Sequence, residues 1–480
     1  MNLFDWNDGV FSIEDKGGFK LHISSNESFR IGTAGACIAN RDGKLSLMTN
    51  NCHIVGSDTD TIPNGSNVSP SGDFAAWCSE AGMQAGAHNT AFLPNRHNDS
   101  ITYLVHRMRD SYWPAGAMSY VITADTLYLS TIIQQEDGSY EVSEKNRKIL
   151  EHSAVNGRVI GIPTEDEQGW WVFTQEAETN TFLFQRINSD GTVSEPVISA
   201  TGPINTWANN GDNAVNISND GGTLALSSEE FGTLLYDFDR QTGKITYDFH
   251  LPPEDDTGNS WSDGYVWSPT NRFLYVADGW TIIQYDLESN AENFDSIHLV
   301  NTQGMSDSTG WVVSLGSGYL GPDCRIYFSS GATAQSFHVI HYPDRKGHAC
   351  TVQSNIPLPN NMAWNFPMIT KFRMGSSEEE VCDSSIDWFG VIPSSVEEAN
   401  LMSQTLQVYP NPSSGQIMVG LQGLSSFDQL AVYDIIGRQV LSLKDWDGQG
   451  YIDLIHLESG VYIVEAVRDN VIYTESIVLE

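Results

Sequence analysis

The 480-residue sequence carries 24 basic and 61 acidic side chains, which gives a formal net charge of −37. A chain this acidic repels phosphate groups, because neutralising them requires clustered Lys and Arg, so nucleic-acid binding is excluded. Hydrophobic residues make up 40% of the chain, which is enough for a folded core and excludes global disorder. The length exceeds that of one ordinary domain.

The N-terminal segment has no secretion-signal pattern. Asp5 and Asp8 stand where such a signal has basic residues followed by an apolar stretch. No run of about 18 apolar residues occurs further on, and no membrane-spanning segment is predicted.

A repeat of about 50 residues follows. Ser218 recurs as Ser268 and Leu224 recurs as Leu274, each 50 residues later. Other copies begin near residues 45, 102, 170 and 321. Each unit consists of short apolar runs separated by turns with Gly, such as Asp190-Gly191, which is the chemistry of β-hairpins.

These repeats predict an all-β fold. Units of roughly 40 to 50 residues that each form a four-stranded sheet can close into a ring without free edges, which is a β-propeller. Six repeat starts lie between residues 40 and 330, and end strands are expected near residues 11–24 and 364–372. We therefore predict about seven blades, with the end strands completing one shared blade.

Several motifs in this region could carry chemistry, but each has a structural interpretation. Residues 316–321 match GxGxxG, yet a strand and not a helix follows, so we interpret them as a loop that joins blades. Residues 218–222 resemble an Asp-box turn, in which the acid caps backbone amides. His338 and His341 are expected on opposite faces of one strand, where they cannot share an ion.

No cofactor is predicted. Asp58, Asp60 and residues 254–256 could supply some of the oxygen ligands that calcium needs, so calcium stays open as an alternative. The chain has no recognised calcium-binding spacing and no motif that marks a catalytic nucleophile. No catalytic residue is assigned.

The tryptophans indicate a possible ligand surface. Most aromatic side chains of a propeller fill the core between blades. Trp261 and Trp280 fall in predicted loops, so they are our candidates for a surface that contacts a ligand.

Six cysteines fit no zinc-binding spacing, and six cysteines allow 15 pairings. Cys324 begins a predicted strand and Cys350 follows the next strand of the same unit. We predict a disulfide between these two, with buried free thiols as the alternative. A disulfide favours export to an oxidising location.

The composition changes after the propeller. The predicted boundaries are a propeller at 1–374, a polar linker at 375–404 and a second β module at 405–480. Apolar and polar residues alternate along the seven predicted strands of the module. This alternation is typical of a small antiparallel, immunoglobulin-like sandwich in which one face of each sheet is exposed to solvent.

The second module carries four ordered motifs that end at the C-terminus. Their principal residues are Tyr409, Pro410, Asn411, Pro412, Gly415, Tyr433, Asp434, Gly437, Arg438, Gly460 and Tyr462. On these residues the module resembles the type A sorting domain of proteins that the type IX secretion system of Bacteroidetes exports. The sequence departs from that family in two ways. It lacks the N-terminal secretion signal of family members, so we expect that its start is truncated or trimmed, and its last residue is Glu480, where a basic residue is more usual.

The propeller has an early hairpin sequence at 42–45, then Pro63-Asn64-Gly65, and cysteines in its last blade at Cys324 and Cys350. On these residues it resembles the secreted propellers that often precede this domain, which have no assigned chemistry to transfer.

The resemblance implies partners and a location. Sorting domains are read by the outer-membrane translocon and removed by its sorting peptidase, so we expect a protein that is secreted or attached to the outer cell surface. We predict that the propeller binds a glycan or a protein. One alternative is a polysaccharide-active enzyme that uses acids of the propeller channel, and another is a purely structural component of a surface layer.

Overall fold

The computed structural model describes residues 2–4, 9–13, 19–23, 35–40, 44–68, 78, 89–107, 110–112, 121–123, 125–152, 154, 159–204, 214–228, 230–251, 262–289, 295–321, 323–331, 334–358, 382, 406–409, 411–420, 427–434, 438–446, 452–457, 459–468 and 471–479. The chain separates into two compact units, Met1–Ile392 and Pro393–Glu480.

Antiparallel sheets build the first unit. A three-stranded sheet contains β1 (Asn2–Phe4), β2 (Gly9–Ile13) and β3 (Phe19–Ile23). Six four-stranded sheets follow among the described residues, and we number them blades 1 to 6 in chain order. Blade 1 consists of β4 (Ala36–Ala39), β5 (Leu45–Thr49), β6 (His53–Gly56) and β7 (Thr61–Ser66). Blade 2 consists of β8 (Thr90–Pro94), β9 (Ile101–Arg107), β12 (Thr126–Gln134) and β13 (Tyr140–Glu151). A separate hairpin of β10 (Asp110–Tyr112) and β11 (Val121–Thr123) lies between β9 and β12 in the chain.

The remaining four blades have the same consecutive strand order. Blade 3 consists of β14 (Gly161–Pro163), β15 (Gly169–Gln175), β16 (Thr181–Asn188) and β17 (Val197–Ala200). Blade 4 consists of β18 (Val215–Ile217), β19 (Thr223–Ser228), β20 (Gly232–Asp239) and β21 (Lys244–Leu251). Blade 5 consists of β22 (Ser262–Trp267), β23 (Phe273–Asp278), β24 (Thr281–Asp286) and β25 (Asp295–Asn301). Blade 6 consists of β26 (Leu315–Leu320), β27 (Ile326–Ser330), β28 (Ser336–Ile340) and β29 (Val352–Pro357), with a 3-10 helix at Gly347–Cys350.

The sequence repeat coincides with the blades. Leu224 pairs with Tyr236 in blade 4, and Leu274 pairs with Tyr285 at the same place in blade 5. The six repeat starts correspond to the six blades. Residues 11–24 contain β3 and part of β2, whereas residues 364–372 lie outside the described part of the chain. The shared closing blade therefore stays a prediction.

The core of this unit lies between blades. Five clusters of buried apolar side chains each join two successive blades, from blades 1 and 2 to blades 5 and 6. Successive four-stranded antiparallel sheets that share apolar cores in this way are the blades of a β-propeller, which is the fold of the first unit.

The GxGxxG segment is a strand, so its assignment to a loop was wrong. Residues 315–320 form β26, the first strand of blade 6. A Cβ atom on Gly264 of β22 would lie 2.8 Å from the Gly316 carbonyl oxygen, and one on Gly318 would lie 2.4 Å from the Phe328 ring. The glycines permit close packing of neighbouring first strands, and no helix follows that could hold a pyrophosphate.

The predicted Cys324–Cys350 disulfide does not form. Cys324 is bonded to Cys382, and a second disulfide joins Cys52 to Cys78. The Cys350 thiol is buried among apolar residues of blades 5 and 6 and contacts the Tyr275 hydroxyl, which directs it into the core and away from Cys324. Cys382 lies within the predicted linker, so the disulfide fastens this segment to blade 6.

The second unit is a small β-sandwich. One sheet contains β30 (Gln407–Tyr409), β31 (Gln416–Gly420) and β34 (Ile452–Asp453). The other contains β32 (Phe427–Asp434), β33 (Gln439–Trp446), β35 (Gly460–Arg468) and β36 (Val471–Leu479). Both sheets contribute to one apolar core. The predicted alternation holds on β35, where Tyr462 and Val464 are buried while Val461 and Ile463 are exposed.

Candidate functional site

The order of strands gives the propeller two faces. Turns between the first and second strands, and between the third and fourth strands, lie on what we call the turn face. Turns between the second and third strands, and the connections from one blade to the next, lie on what we call the connector face. Trp280 and the connection 302–314 both belong to the connector face.

The turn face is built from structural turns. The Ser218 hydroxyl accepts a hydrogen bond from the Gly222 amide at 3.1 Å, and the Asp220 carboxylate accepts another at 3.0 Å. In blade 5 the Ser268 hydroxyl accepts one from the Phe273 amide at 3.2 Å. The Asp-box-like segment therefore caps backbone amides, as predicted, and presents no reactive acid.

Trp280 lies in the two-residue turn between β23 and β24, and 40% of its surface is exposed. Its carbonyl oxygen accepts a hydrogen bond from the Thr302 amide at 2.8 Å, and the Leu315 amide donates to the Gly279 carbonyl oxygen at 2.7 Å. The turn therefore holds both ends of the 302–314 connection. Trp261, the other candidate, lies outside the described residues.

Trp311 is more exposed than Trp280, at 56%, and the sequence analysis did not select it. It lies in the 302–314 connection, next to Val312, which pairs with Ser306 across a short antiparallel bridge. The sequence did signal the turn that carries Trp311, because an Asp followed two and three residues later by Thr and Gly is typical of a rigid Asx turn, but it did not signal the exposure of the indole.

The buried Asp307 carboxylate fixes this connection. One oxygen accepts hydrogen bonds from the Thr309 amide at 2.8 Å and the Trp311 amide at 2.9 Å, and the other accepts from the Gln335 amide at 2.6 Å. Burial acts to raise the pKa of Asp307, but these hydrogen bonds outweigh it and lower the pKa below its usual value. Asp307 therefore stays ionised and clamps the connection to blade 6.

A buried serine–histidine pair in blade 6 is not a catalytic pair. His338 is fully buried, and its Nε2 lies 3.1 Å from the Ser330 hydroxyl oxygen. Its Nδ1 accepts a hydrogen bond from the Asn355 amide at 3.3 Å, so the proton of the neutral ring is on Nε2. A histidine that donates to the serine cannot remove its proton. The Nε2 atom of His341 lies 3.2 Å from the Gln353 side-chain oxygen.

The buried carboxylates of the described residues have structural partners. Asp286 accepts hydrogen bonds from Arg272 at 2.9 and 3.1 Å, and its carboxylate lies 3.2 Å from the Lys346 ammonium. Asp323 accepts one from the Tyr327 hydroxyl at 2.7 Å. Within the described ranges, no group of three or more His, Cys, Asp or Glu could hold a metal ion. Among the residues considered as calcium ligands from the sequence, Asp58 accepts a hydrogen bond from the Asp60 amide. Residues 254–256 lie outside the described part of the chain.

A groove of about 350 Å³ lies between blades 2 and 3, where the turn 189–192 meets β9 and β13. The Tyr103 hydroxyl donates to the Ser189 carbonyl oxygen at 2.9 Å, and Arg147 donates to the Gly191 carbonyl oxygen at 2.6 Å. These polar groups hold the two blades together. We therefore favour the connector face over this groove as the candidate ligand-binding surface.

In the second unit, Asn411 attaches the start of the domain to its last strand. The Asn411 side-chain oxygen accepts a hydrogen bond from the Val478 amide at 3.0 Å, and its amide group donates to the Ser476 carbonyl oxygen at 2.7 Å. Gly415 has a φ of +115°, and a Cβ there would lie 2.7 Å from Ile455. The first motif thus forms a tight turn that holds β36 in place.

The other motifs shape the four-stranded sheet. Arg438 forms an ion pair with Asp434 at 3.0 Å across the turn between β32 and β33. The Tyr433 hydroxyl donates to Glu465 at 3.3 Å, and Tyr462 packs in the core. Gly460 pairs with Leu479 of β36. Pro410 and Gly437 lie outside the described residues.

Residues 407–480 match the family described as the secretion system C-terminal sorting domain. The fold and this match define an exported protein: a β-propeller followed by a domain that addresses it to a secretion system. More specifically, the chain is a substrate of the type IX secretion system and is delivered to the cell surface. The described part of the chain holds no helix that is long and apolar enough to cross a membrane.

Several solved structures are similar to the chain at low identity. PorZ of Porphyromonas gingivalis, described as an essential surface component of the type IX secretion system, is 10% identical, with a TM-score of 0.31 over 99% of this chain and 80% of PorZ. A periplasmic gluconolactonase of Pseudomonas aeruginosa is 10% identical, with a TM-score of 0.34 over 78% of this chain and 90% of the enzyme. A β-propeller domain from Myceliophteria thermophila is 8% identical, with a TM-score of 0.36 over 68% and 92% of the two chains. No curated protein matches the chain.

Proposed function

We propose that the exported propeller is a binding module that engages a glycan or a protein at the cell surface through its connector face. The exposure of Trp280 and Trp311 on that face carries the proposal. Large apolar side chains that stay exposed in a folded protein mark interaction sites when they share one surface. The hydrogen bonds of Asp307 support it further, because they hold the backbone of Trp311 in place before any ligand arrives.

The sorting domain acts before the propeller does. Its proposed partners are the outer-membrane translocon and the sorting peptidase that removes it, as the resemblance to sorting domains implies. Mass spectrometry of fractions from the native host checks this part. We expect the protein outside the cell, with its last peptides ending before about residue 406, whereas full-length protein found only inside the cell would contradict it.

Blocking one face at a time tests the binding proposal. Ser308→Cys places a thiol on the connector face, and Gln241→Cys places one on the turn face, where both native side chains are exposed. Each variant is coupled to a polyethylene glycol chain of about 5 kDa and applied to arrays of immobilised polysaccharides and proteins.

We expect the unmodified protein to bind at least one array component. Polyethylene glycol at position 308 should abolish that binding, and polyethylene glycol at position 241 should leave it intact. Equal binding by both conjugates, or release of soluble sugars from a polysaccharide by the unmodified protein, would show that the proposal is wrong.

A further inference from the structure

We propose that Trp280 and Trp311 form a site for a neutral polysaccharide on the connector face of blades 5 and 6. This inference rests on the proposed binding function and specifies the chemical class of its ligand. Its grounds are the exposure of two indoles, the rigid attachment of the loop that carries one of them, and the single, buried ionisable side chain of that loop.

The two indoles differ from the other tryptophans that the structure describes with side chains. Trp170, Trp171 and Trp267 are buried between blades, where their large apolar surfaces stabilise the fold. The indole surfaces of Trp280 and Trp311 are exposed to solvent. A flat indole offers the C–H groups of a sugar ring a stacking surface, and its N–H offers a hydrogen bond to a hydroxyl group.

The loop is attached to both blades. The Thr302 amide donates to the Trp280 carbonyl oxygen in blade 5 at 2.8 Å, and the Asn355 side chain of blade 6 donates to the Ser306 carbonyl oxygen at 3.2 Å. Asp307 adds its bonds to Trp311 and to the amide of Gln335. A ligand therefore loses little binding free energy to ordering this loop, which matters for a weakly interacting sugar.

The composition of the loop favours an uncharged ligand. Residues 301–314 contain a single ionisable side chain, Asp307, in a chain whose net charge is −37. That carboxylate is buried and occupied by backbone amides. The exposed remainder of the loop offers hydroxyl and amide groups, as on Ser308 and Gln303. An anionic polymer would be repelled by the protein as a whole, and a cationic one would find no accessible acid in this loop.

Titration calorimetry on the full chain tests this assignment. The probes are the hexasaccharides of cellulose, starch, laminarin and mannan, together with one anionic control, polygalacturonate oligomers. The variants are Trp280→Ala, Trp311→Ala and Trp311→Tyr, and the control variant is Tyr342→Ala. Tyr342 is also an exposed aromatic residue, at 47%, but it lies on the turn face.

We expect at least one neutral hexasaccharide to bind and the anionic oligomers not to bind. Loss of either indole should weaken binding about tenfold, whereas Trp311→Tyr, which keeps a flat ring, should stay within about threefold. Tyr342→Ala should bind like the unchanged chain.

Two results would overturn the inference: no binding of any neutral hexasaccharide, or binding that the tryptophan substitutions leave unchanged. The array experiment separates this failure from that of the proposed function. If modification at position 308 blocks binding of a protein or of a charged polymer, the connector face is a binding surface but not for neutral glycans. If it blocks nothing that the chain binds, both proposals are wrong.

Discussion

At the scale of single residues, buried polar groups of the propeller act as structural connections. Asp307 fixes a connection between blades, and His338 joins Ser330 to the backbone of Asn355. Each group is protected from solvent and holds a protonation state that its partners require. These two residues therefore lie in environments that prevent them from reacting.

The burial of His338 predicts a loss of stability in acid. Burial lowers the pKa of His338 to about 4, from 6.5 in water, so between these values the unfolded chain binds a proton that the folded chain does not. Folding stability should fall by roughly 3 kcal/mol as the pH drops from 6.5 to 4.

Chemical denaturation of His338→Gln across this pH range measures the effect. The difference in stability between the unchanged chain and this variant should shrink as the pH falls from 6.5 to 4. His348→Gln, which changes an exposed side chain on the turn face, is the control and should follow the unchanged chain. A constant difference between the unchanged chain and His338→Gln would show that His338 does not titrate in this way.

At the scale of elements, the last strand of the sorting domain depends on a motif more than 60 residues earlier in the chain. Asn411 bonds to Ser476 and Val478, and Ser413 bonds to the Val478 carbonyl oxygen at 2.8 Å. An asparagine side chain carries one acceptor and one donor group, so it can replace the missing neighbour of a strand. This arrangement explains why the motif contains Asn at this position.

Replacing Asn411 should loosen β36. Asn411→Ala removes both side-chain hydrogen bonds and should destabilise the sorting domain by about 1–3 kcal/mol. Hydrogen exchange of residues 471–480 in the full chain should become faster, and export from the host should decrease. Ser442→Ala, an exposed change on β33, should alter neither. Unchanged protection of β36 in Asn411→Ala would contradict the structural role of the motif.

At the scale of the whole molecule, disulfides fasten segments that follow blades. Cys52–Cys78 closes a separation of 26 residues, whereas Cys324–Cys382 closes one of 58. Both bonds suit a protein that folds outside the cytoplasm. A larger closed loop restricts the unfolded chain more and therefore stabilises the fold more.

This difference in loop length predicts an order of stability losses. The double variant Cys324→Ser/Cys382→Ser should lose about 4 kcal/mol, and Cys52→Ser/Cys78→Ser about 3.5 kcal/mol. Thermal unfolding without reductant compares the unfolding temperatures of the two variants. Addition of dithiothreitol should lower the unfolding temperature of the unchanged chain below that of either variant. Equal stability of the unchanged chain and the first variant would contradict the stabilising role of Cys324–Cys382.

Local patterns in the sequence were sufficient for the two folds. The 50-residue recurrence of Ser218 and Leu224 predicted the blades, because each blade repeats the same turn and the same strand pairing. The motifs of the sorting domain predicted its class, because strand alternation and tight turns depend on neighbouring residues. Such features are local, so a single sequence carries them.

The tertiary structure alone decided what depends on long-range proximity. Cys324 has its disulfide partner 58 residues away, and the thiol of Cys350 faces the core, which no spacing along the chain reveals. From the sequence, the glycines of β26 were interpreted as part of a loop. The structure shows that they are required because β26 packs closely against β22. The exposure of Trp311, unlike that of Trp267, likewise follows from which side chains surround it. Burial and contact are properties of the packed chain, and the sequence determines them only through the complete fold.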